Sequence, residues 1–377
     1  MSVRVLMIST SYPANLEDWK GLFIRHLADA LARRKELRLH LWAPPGEVHP
    51  DVVPFASDGE ASFLSELMQA GGIAHLLRIG GLRAVTAPLR LLGGLRAAYR
   101  RAGDVDLYHV NWLQNALPLP DDGKPLLVSV LGSDLQLLSK PMMKSLLRRI
   151  FRHHRTVICP NADWMVAPLM QAFGDIARVR FVPFGIDPMW YAITRDEIQP
   201  VAPARWLAVT RLTSAKLGPL LDWGGRLFRD GVRELHLFGP MQETIDLPAW
   251  VHYHGPASPA VLCRDWFPSA RGLITLSRHA EGRPQVMLEA MAAGLPIVAS
   301  RLAAHEGIVF HDETGWLCNS LEETEAGLRR FEDPRENCRA GRAARAWVSA
   351  EIGTWDDCAV RYARLYRQIA GVAGAYD

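Results

Sequence analysis

Two glutamates, Glu281 and Glu289, stand with seven residues between them in the run EGRPQVMLE. Glu289 falls inside an otherwise apolar stretch, and a buried carboxylate is costly unless it is paired or well hydrogen-bonded. Glu281 belongs to a polar loop just before that stretch. Between the two lie Gly282 and the start of a helix, whose free N–H groups attract phosphate. Two hydroxyl-binding carboxylates around an anion site match a sugar, a diphosphate and a ribose, in that order. The other reading of these residues is a core helix whose Glu289 meets an arginine. Arg211 and Lys216 form a second group. An arginine grips phosphate oxygens in a fork and a lysine adds a point charge, so the two together suit a diphosphate. Solvated surface charge is the alternative; their position beside another helix start favours function.

These residues require elements to position them. Residues 273–276 are apolar and β-prone, a buried strand. A polar loop follows over 277–283, and Pro284 suits the first position of a helix. The spacing predicts a helix over 285–293, ended by Gly294 and barred from continuing by Pro296. A second strand covers 297–299. This is a βαβ unit with buried strands, which implies a parallel sheet covered by helices. In such sheets ligands bind beyond the carboxyl ends of the strands, where Glu281 stands. Arg211 ends a strand over 206–210, and Lys216 sits in the next loop, near the start of a helix running to about residue 229.

The same alternation runs through the chain. Strands are expected at 3–8, 38–42, 106–110, 126–131, 157–159 and 180–182, then at 234–238, 251–254 and 316–317. A helix covers 21–34, and Gly21 near its start is either a phosphate-approach glycine or a plain turn glycine. The strand at 106–110 delivers His109 and Asn111 towards its carboxyl end. Gly132-Ser133-Asp134 forms the loop after the next strand. Asp104-Val105-Asp106 spells a metal-binding D-x-D, but it opens a buried strand rather than ending one, so we read it as a false match. Residues 188–203, with three prolines, form the expected linker. His279 and His305 are read as structural.

A length of 377 residues predicts about two domains. Hydrophobic content of 49% and charged content of 22% fit a soluble globular protein, and a net charge of +3 is too small to argue for nucleic acid. Five cysteines without a CxxC pair fit a reducing compartment and argue against a disulfide framework or a zinc site. No apolar run is long enough to span a bilayer, and the start reads as a first strand rather than a signal peptide, so the cytoplasm is the expected location. Residues 71–101 carry Arg78, Arg83, Arg90, Arg96, Arg100 and Arg101 and no acidic residue; residues 144–155 form a second basic run. They read either as membrane-surface elements drawn to anionic lipid or as solvated helix faces.

The run EGRPQVMLEAMAAGLPIVAS resembles the retaining glycosyltransferases of family 4 (glycosyl transferases group 1), and the likeness extends more weakly over Tyr12-Pro13, Gly21, His109, Gly132-Ser133-Asp134 and Gly185-Ile186-Asp187. The resemblance implies an α/β protein of the GT-B fold, with two Rossmann-like domains facing across a cleft. It implies an acceptor-side domain over 1–190, a nucleotide-sugar domain over 191–354, and a C-terminal helix over 355–377 returning to the first. It assigns the catalytic groups Arg211, Lys216 and Glu281. It assigns donor binding to Glu289, to Gly282, Arg283, Pro284, Gln285 and Val286, to Gly255 near the base, and to Gly21. His109 and Asp134 fall on the acceptor side. Family members usually work without a metal, and the nucleotide-sugar is substrate, so no cofactor is expected. Many members have a histidine where this chain has Leu131; either Gly132 backbone, Asp134 or His109 takes over its task, with Asp134 favoured as an acceptor-side group, or the catalytic detail differs.

The expected function is therefore retaining hexosyl transfer from a UDP- or GDP-sugar to a polysaccharide, lipopolysaccharide or glycolipid acceptor, in the cytoplasm and at the inner membrane face. The alternative is a non-catalytic sugar-nucleotide-binding homologue, for which Leu131 is the only support. A dinucleotide oxidoreductase ranks last, because no GxGxxG follows the first strand.

Overall fold

The computed structural model describes residues 2–195, 203–228 and 231–371, except the side chains of residues 74, 75, 78 and 79. The chain forms two compact units. One runs to Phe184 and resumes at Trp355; the other is Gly185–Thr354.

The first unit holds a seven-stranded sheet among the described residues. Its strands are β1 (Val3–Ile8), β2 (Leu37–Trp42), β3 (Val52–Pro54), β4 (Leu107–Asn111), β5 (Leu126–Val130), β6 (Thr156–Pro160) and β7 (Arg178–Val179), in the order β3-β2-β1-β4-β5-β6-β7. All pairs are parallel. Strands β4, β5 and β6 are buried at every residue, as strands covered on both faces must be. One face packs against the helix Leu22–Ala32 and the terminal helix Trp355–Ala370; the other packs against Phe63, Leu95, Tyr99, Leu147 and Phe173 from four further helices. The expected strand at 180–182 lies two residues earlier, at β7. The helix Asp58–Gln69 was unread in the sequence, although Ser57 and Glu60 carry a capping-box spacing; the Ser57 N–H donates to Glu60 Oε2 at 2.9 Å. The basic segment is two helices, Gly72–Ile79 and Leu82–Arg101, parted by Gly80 and Gly81, both with φ near +80°.

The second unit holds six parallel strands among the described residues: β8 (Ala204–Val209), β9 (Arg233–Phe238), β10 (Val251–Tyr253), β11 (Gly272–Thr275), β12 (Ile297–Ser300) and β13 (Gly315–Cys318), in the order β10-β9-β8-β11-β12-β13. The order reverses between β8 and β11. Helix Gln285–Ala292 buries Met287, Leu288, Ala290 and Met291 against β11, β12 and the helix Pro334–Glu351. Pro284 is the residue before the helix, with ψ 109°, and not its first turn. Gly294, at φ +73°, supplies the left-handed C-terminal exit. The expected linker contains the helix Pro188–Tyr191 and ends where β8 begins; residues 196–202 of it, Pro200 included, lie outside the described residues.

Candidate active site

Strands β8 and β11 are neighbours, and the strand order reverses between them. A crevice opens beyond the carboxyl ends of two such strands, because the connections that follow them leave to opposite faces of the sheet. Arg211 and Lys216 follow β8, and Ser277 to Glu281 follow β11. The fold thus brings together the two groups that the sequence kept about seventy residues apart.

Lys216 does not lie in the loop before a long helix. It sits in the short helix Ser214–Leu217, capped by Thr213. The chain then turns sharply at Gly218, at φ +54°, where a Cβ would stand 2.0 Å from the Leu276 carbonyl oxygen. Only glycine permits this contact, which presses the β8 connection against the end of β11. The expected helix to residue 229 is Leu220–Leu227.

Lys216 Nζ meets Glu281 Oε1 at 2.6 Å, and both side chains are largely buried, at 12% and 14% exposed. Ser277 Oγ donates to Glu281 Oε1 at 3.2 Å and accepts the His279 N–H at 3.1 Å. Ser300 at the end of β12 donates to the Ser277 carbonyl at 2.6 Å, and His305 Nδ1 lies 2.8 Å from the Ser300 carbonyl. Glu281 is therefore held through three connected loops. Burial lowers the Lys216 pKa even beside Glu281, and the Arg211 charge lowers it further. Arg211 makes no ion pair among the described residues, so it is free to take an anion. His279 is half-buried beside the cluster; burial, then Lys216 and Arg211, hold it below its ordinary value. His305 is fully buried.

Glu289 lies on the helix that follows this loop. Its carboxylate makes no hydrogen bond or ion pair among the described residues, so no arginine partner satisfies it. Burial, with the nearby Asp187 charge, raises it to about 8. Asp187 itself caps the helix Pro188–Tyr191, accepting the Met189 N–H at 2.9 Å. No side chain caps the start of Gln285–Ala292. Gln285 Nε2 donates to the Gly185 carbonyl at 2.7 Å, while Arg283 reaches the Gly307 carbonyl at 3.3 Å and lies over the Trp347 ring. Gly282 and Pro284 are buried, and Val286 is half-buried. Gly255, at φ +71°, closes a turn whose carbonyl accepts the Gly239 N–H at 2.9 Å. The preceding strands seat that turn: His254 stacks on Phe238, and its Nε2 lies 3.0 Å from His236 Nδ1.

The remaining predicted residues belong to the first unit, and two of them face inward. His109 is fully buried, with Nε2 2.8 Å from Ser129 Oγ and Nδ1 2.6 Å from Tyr366 Oη, and burial lowers it to about 3. Both ring nitrogens are occupied, which removes it from any acceptor. Asp134, also buried, accepts the N–H groups of Leu131 and Gly132 through Oδ1 and that of Leu113 through Oδ2. Its carboxylate organises loops, and burial raises it to about 6 in spite of those bonds. Gly21, at φ +74°, starts the helix Leu22–Ala32, and a Cβ there would stand 2.8 Å from the Tyr12 nitrogen. The close passage of the 11–12 loop gives that glycine a packing reason. In the D-x-D match, Asp106 accepts from both the backbone and the guanidinium of Arg4. Sequence reasoning gave no site role to Ser277 or Asp187, and it placed His279 near the cleft only as a structural residue. A serine at the end of β11, four residues before Glu281, was the available signal.

Comparison with known proteins agrees with this architecture. Residues 226–331 match the family described as Glycosyl transferases group 1. An uncharacterized glycosyltransferase of Haemophilus influenzae is 31% identical over 110 residues, 28% of this chain and 30% of the length of that relative. Among solved structures, sucrose-phosphate synthase of Thermosynechococcus elongatus superposes with a TM-score of 0.70 at 17% identity, covering 98% of this chain and all of that one (100%). Anabaena HepE in complex with UDP and glucose gives 0.64 at 16% identity, covering 97% of this chain and 100% of the other. A glycosyltransferase of Rickettsia africae gives 0.68 at 12% identity, covering 99% and 100%. The chain thus has the GT-B fold of these structures, and its residues 226–331 match the glycosyl transferases group 1 family.

Proposed function

We propose that this protein transfers a hexosyl group, with retention, from a nucleotide-diphosphate sugar to a saccharide or lipid-linked saccharide acceptor. The observation that carries this reading is the meeting of Arg211, Lys216 and Glu281 where the second sheet reverses its strand order, beside an uncapped helix start. In this reading Arg211, Lys216 and the N–H groups of that helix hold the diphosphate. Glu281 accepts from hydroxyls of the transferred sugar, and Glu289 accepts from the ribose. Gly282 to Val286 cover the sugar and phosphate, and the turn at Gly255 meets the base. As the glycosidic bond breaks, charge builds on the departing diphosphate, and the cations stabilise it most at that point. Without a donor, Lys216 and Glu281 neutralise each other; a bound diphosphate and hydroxyl give each a partner of its own. The structure of HepE in complex with UDP and glucose supports a uridine donor by analogy.

The basic segments support peripheral contact with the anionic inner face of a membrane. Among the described residues no helix is long and apolar enough to cross one. The test is hydrolysis of, and transfer from, UDP- and GDP-sugars. Glu281→Ala and Lys216→Ala should each lower the rate by about a hundredfold or more. Unchanged rates in both variants sink the proposal. Donor binding by calorimetry without turnover on any acceptor would favour the non-catalytic homologue instead.

A further inference from the structure

The two basic segments, far apart in sequence, line one groove in the first unit. It encloses about 730 Å³, and its walls include Leu92, Arg96 and Arg100 of the helix Leu82–Arg101, Leu117 and Leu119 of the segment after β4, and Leu146 of the helix Met143–Arg152. Asp121 also borders it and is held by His153 Nδ1 at 2.8 Å. Arg96 and Arg100 are exposed and make no ion pair among the described residues. Leucines beside two uncompensated arginines suit a molecule with an apolar chain and an anionic head.

The surface next to the groove is unusual in the same way. Leu82, Val85 and Leu89, spaced along one helix face, are 80%, 63% and 65% exposed, and Met142 just before the second helix is 84% exposed. Leu91, Leu95, Ala98 and Tyr99 on the opposite face enter the core. Exposed apolar residues in such a row are rare on a surface that meets only water. Arg83 on the same helix is exposed, as are Lys144, Arg149 and Arg152 of the helix Met143–Arg152. Leucine and valine flanked by arginine and lysine are the composition of a helix lying in a lipid interface.

We propose that this groove binds one phospholipid of an anionic bilayer: its phosphate on Arg96 and Arg100, its chain along Leu92, Leu117, Leu119 and Leu146, with Leu82, Val85 and Leu89 entering the membrane. This rests on the peripheral-membrane part of the function proposed above and is independent of the donor site. The full chain is co-sedimented with vesicles of phosphatidylcholine alone and with about a third phosphatidylglycerol, with and without millimolar inorganic phosphate; binding is expected only to the anionic vesicles and to survive phosphate. The pair Arg96→Gln with Arg100→Gln, and separately the triple Leu82→Ser, Val85→Ser, Leu89→Ser, should each weaken it about tenfold or more. Neither set touches the donor residues, so donor hydrolysis should persist in both and reports that they fold. Absence of binding by the unaltered chain overturns the proposal. So does release by phosphate alone, which would mark a simple anion site. So does retention by the Arg96/Arg100 variant with loss on Lys144→Gln, Arg149→Gln, Arg152→Gln, which would mark diffuse surface charge. Lipid binding without any donor hydrolysis would leave this groove standing and count against the glycosyl-transfer reading alone.

Discussion

Glu289 holds its proton to about pH 8, because burial and the Asp187 charge both disfavour the carboxylate. Unfolding returns it to an ordinary glutamate near 4.5. The stabilisation from the neutral side chain is thus complete below about 4.5 and is lost as pH rises through about 8. Glu289→Gln should flatten the fall in stability across that window, seen in denaturant midpoints at several pH values. If Glu289 accepts from ribose hydroxyls, donor binding favours the ionised form and must release a proton near pH 7. Calorimetry in two buffers of different ionisation enthalpy should show that release in the native protein and not in Glu289→Gln. Asp134 illustrates the opposite use of a buried carboxylate. It serves three backbone N–H groups, so Asp134→Ala should cost about 3 kcal/mol, read in thermal unfolding, through unsatisfied buried donors. His109 and Asp134 were expected on the acceptor side, and both side chains are bonded inside the first unit. Periodicity says which strand carries a side chain, but only the packed C-terminal helix shows that His109 is enclosed between Tyr362 and Tyr366.

At the scale of elements, the site depends on two glycines that hold the β8 side of the crevice in place. Gly218 lies against the Leu276 carbonyl, and a Cβ on Gly239, at φ +135°, would stand 1.7 Å from the Thr210 carbonyl oxygen. Each brings a neighbouring strand end against the segment that carries Arg211 and Lys216. Alanine at position 218 must adopt a left-handed conformation and push the β11 end away. Gly218→Ala should cost more than about 1 kcal/mol of stability. It should also weaken donor binding beyond that cost, because the Lys216–Glu281 contact of 2.6 Å opens. A thermal melt compared with donor titration separates the two effects. The long helix expected after Lys216 was a misreading: Gly218-Pro219 is a local break signal, and the contact of Gly218 with the Leu276 carbonyl holds the turn in place.

At the scale of the molecule, the terminal helix Trp355–Ala370 belongs to the first unit although the chain has passed through the second. Trp355, Tyr362, Tyr366 and Ile369 join the core beneath the helix Leu22–Ala32, Tyr362 Oη lies 2.8 Å from Ser129 Oγ, and Arg33 pairs with Asp356. Each buried aromatic or aliphatic side chain contributes roughly 1.5–3 kcal/mol, so losing four exceeds much of a domain's net stability. A chain ending at Thr354 should therefore lose the cooperative unfolding of the first unit while the second unit keeps its own; hydrogen exchange resolved by segment distinguishes them. Persistence of protection in β4 and β5 in that truncation would contradict this account.

The parallel alternation, the βαβ unit around Glu281 and Glu289, and the cations after β8 were legible from the sequence alone. They rest on local physics: continuous apolar strands, proline and glycine at helix ends, and one charge in an apolar stretch. Strand order is a different matter. That β8 lies beside β11, and hence that Lys216 touches Glu281, follows from long-range packing that no local pattern encodes. The same holds for the two basic segments meeting at one groove, and for Asp134 and His109 turning away from solvent. The sequence thus determined which groups were available for binding phosphate and hydroxyls. The tertiary structure decided which of them meet, because only the assembled sheets and their helices determine what each side chain faces.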